Sequence, residues 1–502
     1  MQSDSRTRFI PIGLMLFALF FGAGNLIFPA SMGQASGTDV WWALLGFCIT
    51  GVGLPLLTVM AVGYSGLPGV REIGNRVHPW FGVFYSTVCI LAIGPCFAVP
   101  RTGTVSWEIA IVPFLDPSQL EIGMPIFLAV FLGVAGWLAA SPSKLVDRVG
   151  KILTPLLVLT LVVFIIKSFI TPMGEPQTPA APYATPVMAV VQGILDGYNT
   201  LDAIAALIFA SLTIGVVRDA GFTKQSDIAR EVFKAALIAA PMLGVIYIFI
   251  AKIGAESVSA IGIQETGAPI LALSAKLLFG NGGAMLLAAM VILACLTTAI
   301  GLISCTAAHF MNLSGGRIKY GVWVVIFTVI SYLIGLFGLK TIIVSTIPVL
   351  MFLYPLCVAL VILSFLHTMI GGRRCVWAWT IGFTFVMALY NGLQTAKIAM
   401  GGLEAILAQW VPLHTYGLGW IPFAVVGFVI GMIHKSLTKG PNSHILKLFS
   451  TSGIIRAINS HFALSLSLSG SIPVDRSMTS IHSSLVNALR PFLTSSISTC
   501  GI

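Results

Sequence analysis

Residues 18–29 read ALFFGAGNLIFP, and this stretch decides the fold. It is strongly apolar, yet Gly22, Gly24, Asn25 and Pro29 fall close together within it. A glycine lowers helix stability by roughly 1 kcal/mol relative to alanine, and a proline removes a backbone hydrogen bond. The stretch therefore predicts an apolar helix that is interrupted near its centre.

The composition of the chain places this interrupted helix in a membrane. Of the 502 residues, 57% are hydrophobic and only 9% are charged, whereas a soluble domain carries roughly 25% charged residues. About 20 apolar residues span the hydrocarbon core as a helix. Such stretches lie near 9–31, 40–62, 80–100, 122–140, 151–170, 187–217, 235–255, 284–308, 320–338, 341–366, 376–396 and 417–434. We therefore predict an all-α integral membrane protein with about 12 transmembrane helices.

The position of the basic residues predicts the topology. Lys and Arg concentrate in alternate predicted loops, as at Arg71 and Arg76, whereas loop 171–186 has none and holds five prolines. Cytoplasmic loops of membrane proteins carry the excess of Lys and Arg. The pattern predicts a multi-pass protein of the cell membrane (inner or plasma membrane), surrounded by lipid, with both termini in the cytoplasm. It also explains the net charge of +10 without a nucleic acid partner.

A second interrupted stretch, QGILDGYNTLDAIAA, lies at 192–206 inside the sixth predicted span. GAGN at 22–25 and DGYN at 196–199 both contain glycine and end in asparagine. Spans one and six are corresponding members of two five-helix halves, and an odd number of spans makes the halves inverted repeats. Paired breaks of this kind indicate a transporter binding site at mid-membrane. Helix packing alone also uses Gly and Pro in membranes, but two breaks at matching places favour the binding site.

The motifs FFGAGNLIFP (20–29), PRTGTVSWE (100–108) and DGYNTLDA (196–203) together resemble the branched-chain amino acid:cation symporters, the BrnQ-type or LIVCS carriers. The resemblance covers roughly 8–436. It implies uptake of leucine, isoleucine and valine with Na⁺ as the coupling ion and with no other cofactor. It also implies the LeuT-like superfold, a 5+5 inverted repeat in which helices 1 and 6 are discontinuous.

This resemblance divides the chain into a carrier body and a tail. The transmembrane body is 1–436, with a first repeat at about 8–170, a second at about 187–366 and accessory helices at about 376–434. The serine-rich tail 437–502 has no counterpart in the family, and neither a structure nor a function is assigned to it.

The resemblance also implies a sodium site in the eighth predicted span, where ACLTTA begins at Ala294. An Ala-x-x-Thr-Thr run in this helix of LeuT-like carriers holds Na⁺ through the carbonyl of Ala294 and the hydroxyls of Thr297 and Thr298. The partner carbonyls are those of Ala18 and Phe21. Oxygen ligands suit a hard cation, although threonine in membrane helices often bonds back to its own turn.

The two breaks also suggest how an amino acid binds. The candidate residues for the carboxylate are Ala23, Gly24 and Asn25 through their N–H groups, and those for the ammonium are Tyr198, Asn199 and Thr200. Selectivity for the apolar side chain is expected from span three, around 90–99, and from span six. One methylene in such a pocket is worth only ~1–3 kcal/mol, so the three branched substrates should be weakly distinguished.

Ionisable side chains within the predicted spans are further candidates. Asp202 follows the second break by one turn, where it tunes the cation site, relays a proton or caps the unwound chain. Arg101 and Glu108 are seven residues apart on one helix face and either pair as a gate or lie in the interface.

Three functional hypotheses follow from the sequence. The first is a sodium-coupled symporter, and the second is an H⁺-coupled or broader amino acid transporter of the same fold, with Asp202 as the proton relay. The third is an intramembrane enzyme, which requires a convergent acid or metal cluster. The hydrophobic core carries no HExxH, Walker A or GxSxG motif, and the carboxylates are scattered, so a non-enzymatic carrier is favoured.

Overall fold

The computed structural model of the chain describes residues 9–67, 69–141, 154–398 and 403–438. The first helices are α1 (Phe9–Phe20), α2 (Ala23–Ser36), α3 (Val40–Cys48), α4 (Leu54–Ser65), α5 (Val70–Asn75), α6 (Pro79–Leu91), α7 (Ala98–Ala110), α8 (Leu120–Ala139) and α9 (Thr154–Ile170). They are followed by α10 (Pro186–Tyr198), α11 (Asp202–Asp219), α12 (Gln225–Ile261), α13 (Gly267–Leu313), α14 (Tyr320–Gly335), α15 (Leu339–Phe365), α16 (Arg374–Thr395), α17 (Leu403–Trp410) and α18 (Trp420–Leu437). The described residues contain no strand, which confirms the all-α fold class for this part of the chain.

The number of membrane spans is less sharply defined than the fold class. Within the described ranges, eight helical runs are long and apolar enough to cross a membrane, or nine if α10 and α11 form one bent span. The break after Phe20 leaves α1 and α2 with 12 and 14 residues, and each is shorter than the roughly 20 residues that a span needs. The count of twelve therefore stays a prediction. The predicted tail lies outside the described residues from position 439 onward.

Two of the helical runs contain a turn of π-helix. Ile49–Gly53 joins α3 to α4, and Ala92–Cys96 joins α6 to α7. Pro95 cannot donate a backbone hydrogen bond, and Gly94 departs from helical geometry with φ −85° and ψ −116°, so the helix widens there. Such turns are frequent at functional sites, and Ile93 in the second turn lines the cavity described below.

The helices α2 and α12 cross at glycines that leave no room for a side chain. A Cβ atom on Gly33 would lie 2.0 Å from the carbonyl oxygen of Ala251. A Cβ atom on Gly254 would lie 2.2 Å from the carbonyl oxygen of Ala30. Small residues allow helices to approach this closely in a membrane, where no hydrophobic effect drives helices together.

The helices α3 and α10 cross in the same way. A Cβ atom on Gly46 would lie 1.9 Å from the carbonyl oxygen of Val190, and one on Gly193 would lie 2.0 Å from that of Ala43. The helix α2 follows the break after Phe20, and the helix α10 ends at Tyr198, before a second break. Both helices are thus held to a neighbour by backbone contact. These two crossings fix the positions of the broken ends.

We expect Gly254→Ala to destabilise the protein by about 1–3 kcal/mol, because the added methyl group overpacks the crossing with α2. Gly244→Ala is the matched control in the same helix, since its Cβ would meet nothing within 4 Å. That control should be neutral or stabilising by up to ~1 kcal/mol. The measurement is the free energy of unfolding in detergent, and equal effects of the two substitutions would contradict the close crossing.

Candidate functional site

The first break separates α1 from α2 by two residues, Phe21 and Gly22. Gly22 is extended, with φ −134° and ψ −160°, and its N–H donates to the side-chain oxygen of Asn25 at 2.9 Å. A Cβ atom on Gly22 would lie 2.7 Å from the Thr298 hydroxyl oxygen. The glycine is therefore required by the close approach of α13 as well as by the turn.

The second break separates α10 from α11, and the two helices are bent by 44°. Leu201 has a left-handed backbone with φ 68°, a conformation that non-glycine residues adopt rarely. The hydroxyl of Thr200 donates to the carbonyl of Gly197 at 2.9 Å and accepts the Asp202 N–H at 3.4 Å. Thr200 thus caps the start of α11 at the Asp202 N–H, and the capping role considered for the Asp202 carboxylate stays a prediction.

The Asp202 carboxylate instead connects the two breaks. The side-chain amide of Asn25 donates to Asp202 Oδ2 and to the hydroxyl oxygen of Tyr247, and the Tyr247 hydroxyl donates to the same Oδ2 at 3.0 Å. All three side chains are buried. Together with the bond from Gly22, these contacts use both N–H groups and the oxygen of the Asn25 amide.

Tyr247 was not among the residues predicted from the sequence. Its ring lies edge-on to Phe47, with centroids 5.0 Å apart, and α12 carries it to the first break. A buried tyrosine hydroxyl usually has a hydrogen-bond partner. That tendency is the one signal in the sequence, and it does not identify the partner.

Arg101 lies at the second break, only 3% exposed. Its Nη1 donates to the Asn199 carbonyl at 2.9 Å, and its Nη2 donates to the Thr200 carbonyl at 3.4 Å. The guanidinium also lies over the ring of Phe28, 5.1 Å from its centroid. Carbonyls at the C-terminal end of a helix carry partial negative charge. The Arg101 guanidinium, from α7, therefore stabilises the C-terminal end of α10.

The predicted partnership of Arg101 with Glu108 is not formed among the described residues. Glu108 Oε2 accepts from the hydroxyl of Thr266 at 3.5 Å, while the guanidinium reaches the second break. Arg101 precedes Glu108 by about two helical turns, and the pull of the α10 carbonyls orients it inward. Arg101 is buried and does not lie in the interface, and a gating role stays a prediction.

A small cavity of about 30 Å³ lies between the two breaks. Its wall includes Ala23, Gly24, Asn25 and Thr200 from the predicted substrate site, together with Arg101, Asp202 and Thr298. Apolar side chains complete the wall: Ile93 and Ala98 from span three, and Ala205 and Phe209 from α11. This space holds about one water molecule, whereas small-molecule sites have volumes of about 300–1,000 Å³, so the walls must move apart for an amino acid to enter.

Two residues predicted to contact the substrate lie behind this wall. The Tyr198 ring stacks on Tyr354, with centroids 4.2 Å apart. The Asn199 carbonyl is held by Arg101. The ammonium site predicted over residues 198–200 therefore reaches the cavity through Thr200.

The oxygen atoms of the predicted ion site form two groups between α13 and the chain from Ala18 to Phe21. The Thr297 hydroxyl donates to the Ala294 carbonyl at 2.8 Å and lies 3.3 Å from the Ala18 carbonyl. The Thr298 hydroxyl donates to the Phe21 carbonyl at 3.3 Å. Neutral carbonyl and hydroxyl oxygens suit a hard cation of low charge, so the donor set fits Na⁺.

Two solved structures share this arrangement of helices. The structure of MhsT in complex with L-phenylalanine matches 85% of this chain and 98% of its own, with a TM-score of 0.52 at 18% identity. The structure of the manganese transporter of Eremococcus coleocola, in complex with an aromatic bis-isothiourea compound, matches 87% of this chain and 97% of its own. The TM-score is again 0.52, at 13% identity. The fold is LeuT-like, and the helical runs that are long and apolar enough to cross a membrane make multi-pass membrane protein the class.

Sequence relatives identify the family within that class. The family model described as branched-chain amino acid transport protein matches residues 5–438. The chain is 41% identical to the branched-chain amino acid permease BraB of Bacillus subtilis (strain 168) over 87% of this chain and 97% of the relative. It is 40% identical to the permease BrnQ of the same organism, over 86% of this chain and 97% of the relative. It is 35% identical to BrnQ of Lactobacillus delbrueckii subsp. lactis, again over 86% of this chain and 97% of the relative. The chain belongs to the branched-chain amino acid transport protein family, which confirms the resemblance found in its motifs.

We expect Tyr247→Phe to lower the free energy of unfolding in detergent by about 1–3 kcal/mol, because it leaves Asp202 and Asn25 each without one buried partner. The ring and its contact with Phe47 are preserved, so the change isolates the hydroxyl. Tyr64→Phe is the control, since Tyr64 is 49% exposed on α4. Equal, small effects of both substitutions would show that the hydroxyl of Tyr247 does not hold the breaks together.

Proposed function

We propose that this protein is a secondary active symporter that imports leucine, isoleucine and valine together with Na⁺ across the cell membrane. The observation that carries the proposal is the approach of the Thr297 and Thr298 hydroxyls to the carbonyls freed by the first break. Thr298 also lines the cavity between the two breaks, which supports a cation site next to the substrate site. Relatives named as branched-chain amino acid permeases support the substrate class.

The two charged ends of the substrate match the two broken helices. The N–H groups of Ala23, Gly24 and Asn25 occupy the first turn of α2, which has no intrahelical acceptor for them. A helix N-terminus stabilises a negative group, so the carboxylate binds there. The buried Asp202 carboxylate, on the same cavity, attracts the ammonium group.

The apolar part of the wall accounts for a branched aliphatic side chain. Ile93, Ala98, Ala205 and Phe209 present no hydrogen-bond donor or acceptor from their side chains to the cavity. A pocket of this kind favours apolar side chains but separates homologues by only ~1–3 kcal/mol per methylene. Leucine, isoleucine and valine should therefore compete with one another.

The position of the ion site explains how Na⁺ is coupled to transport. Its ligands come from α1 and the first break on one side, and from α13 on the other. A cation bound between two elements stabilises only the arrangement in which both sets of oxygens are within reach. Na⁺ therefore favours the state in which the first break is held in the geometry that lines the cavity.

The broken helices fit a 5+5 inverted repeat with discontinuous helices 1 and 6 among twelve spans. The support is the occurrence of a break after Phe20 and another after Tyr198, together with the two matched glycine crossings. In such folds one helix bundle rocks against the other around a fixed central site. Both termini then lie on the cytoplasmic side, as the basic loops predict.

Coupling to H⁺ is a second candidate, and it is favoured by the surroundings of Asp202. Its carboxylate is buried and hydrogen-bonded to neutral partners, Asn25 and Tyr247. In the part of the chain that the structure describes, no ion pair involves it. A buried carboxyl without an ionic partner is a group that can carry a proton across a transport cycle.

We expect proteoliposomes that contain the full chain to accumulate labelled leucine when an inward Na⁺ gradient is imposed, and not with K⁺ in its place. Isoleucine and valine should compete. Accumulation driven only by acid outside would instead assign coupling to Asp202. Folded protein that shows no uptake under either gradient would contradict the proposed function.

We expect Thr298→Ala to raise the Na⁺ concentration for half-maximal leucine uptake by roughly tenfold, equivalent to about 1.4 kcal/mol of cation binding. Thr298→Ser keeps the hydroxyl and should stay close to the wild type. Thr306→Ala, two turns along α13, removes a hydroxyl that bonds only to its own turn at Leu302 and serves as the control. An unchanged sodium dependence in Thr298→Ala would remove these oxygens as the ion site.

A further inference from the structure

Arg101 brings a positive charge to the cavity wall, where the Asp202 carboxyl attracts it electrostatically but does not contact it. Among the described residues, no carboxylate oxygen forms an ion pair with its guanidinium, although the side chain is 97% buried. A buried charge without an ionic partner is costly. The two backbone carbonyls at the end of α10 offset part of this cost.

The guanidinium has hydrogen-bond donors to spare. Of the five N–H donors of an arginine side chain, one on Nη1 and one on Nη2 reach Asn199 and Thr200. The buried Nε has no partner. Because buried donors are nearly always satisfied, this group marks a place for an acceptor, and the planar fork of arginine fits a carboxylate with two bonds.

The spare donors lie next to the first turn of α2. A Cβ atom on Gly24 would be 2.8 Å from Nη2, and both residues line the cavity. A carboxylate at the N-terminus of α2 is therefore within reach of the guanidinium. The two positive features of the cavity, one a helix end and one a side chain, converge on the same place.

The carbonyls that Arg101 now holds are themselves suited to an ammonium group. They end α10, where the helix dipole is negative, and they lie in the segment predicted to bind the substrate ammonium. The guanidinium thus stands where the positive end of an amino acid would bind.

We propose that Arg101 is a resident cation that the substrate displaces. The α-carboxylate of the amino acid pairs with the guanidinium, which releases the Asn199 and Thr200 carbonyls, and the α-ammonium takes its place on them. The Phe28 ring beneath the guanidinium provides a contact that persists during the exchange. This inference rests on the proposed function and adds the determinant of substrate class.

The exchange explains why the site would select zwitterions. A carboxylate alone draws Arg101 away and leaves the α10 carbonyls without a cation. An amine alone has nothing with which to draw Arg101 away. Only a molecule that carries both charged groups on one carbon atom satisfies the guanidinium and the carbonyls together.

The test uses two analogues of leucine that each lack one charge. These are 4-methylpentanoate, which lacks the amino group, and 3-methylbutylamine, which lacks the carboxylate. Binding to the purified full chain is measured as the ligand-dependent shift in unfolding temperature, which does not require transport. The wild type should bind leucine, should bind the acid more weakly, and should bind the amine weakest of the three.

In Arg101→Gln the carbonyls are free and the carboxylate partner is lost. We expect the amine to bind at least tenfold more tightly than in the wild type, and the acid at least tenfold more weakly. Arg101→Lys, which keeps the charge without the planar fork, should retain weak binding of the acid and should not gain binding of the amine. Lys340→Gln removes a basic residue that is 68% exposed and pairs with Glu265, and it should leave all three affinities unchanged.

In Arg101→Gln the affinity for the amine should rise while the affinity for the acid falls. These opposite changes distinguish the proposed exchange from a general distortion of the site. A site that is merely distorted in Arg101→Gln would bind both analogues more weakly, and that result would overturn the proposal. If Arg101→Gln does not fold, an Arg101→Lys variant that binds leucine and both analogues as the wild type does would also overturn it. Absence of leucine binding in the folded wild type would instead contradict the proposed function itself.

Discussion

The side-chain amide of Asn25 is the constraint on which the site depends. It accepts the N–H of Gly22, and it donates to Asp202 and Tyr247, so one residue ties α1, α2, α11 and α12 together. In hydrocarbon, an interrupted helix has no water to satisfy its freed peptide groups. The first break is stable because its freed peptide groups find partners within the protein. Asn25 also bonds to the Asp202 carboxylate next to the second break, and Asp202 lines the cavity.

The cavity is balanced in charge by elements of opposite sign. The N-terminus of α2 is positive and the C-terminus of α10 is negative. Asp202 and Arg101 contribute one acidic and one basic side chain, and both are buried. An environment that contains both signs and little water is costly for a molecule with a single charge and far less so for a zwitterion. The glycine crossings hold these opposite poles close together.

Local chemistry determined which features the sequence could predict. Both breaks were located, because glycine and asparagine in an apolar run are local signals, and the helices do end at Phe20 and Tyr198. The meeting of ACLTTA with Ala18 and Phe21 followed from the family resemblance. The partners of Arg101 and Asp202 were missed, since they depend on contacts between residues 98 and 177 positions apart. No spacing along one helix encodes such contacts, so the sequence suggested Glu108 as the partner of Arg101 and left three roles open for Asp202.

The contact of Arg101 with Asn199 also bears on how the protein is made. Arg101 is synthesised 98 residues before its acceptor, so span three enters the bilayer while its charge has no partner. Insertion of an arginine at the centre of a helix costs about 2.5–3.5 kcal/mol, and the apolar residues of the run Pro79–Phe114 must offset this alone. The first half of the chain is therefore inserted before this contact can form. Arg101 gains its acceptor only after the second half of the chain has also been inserted.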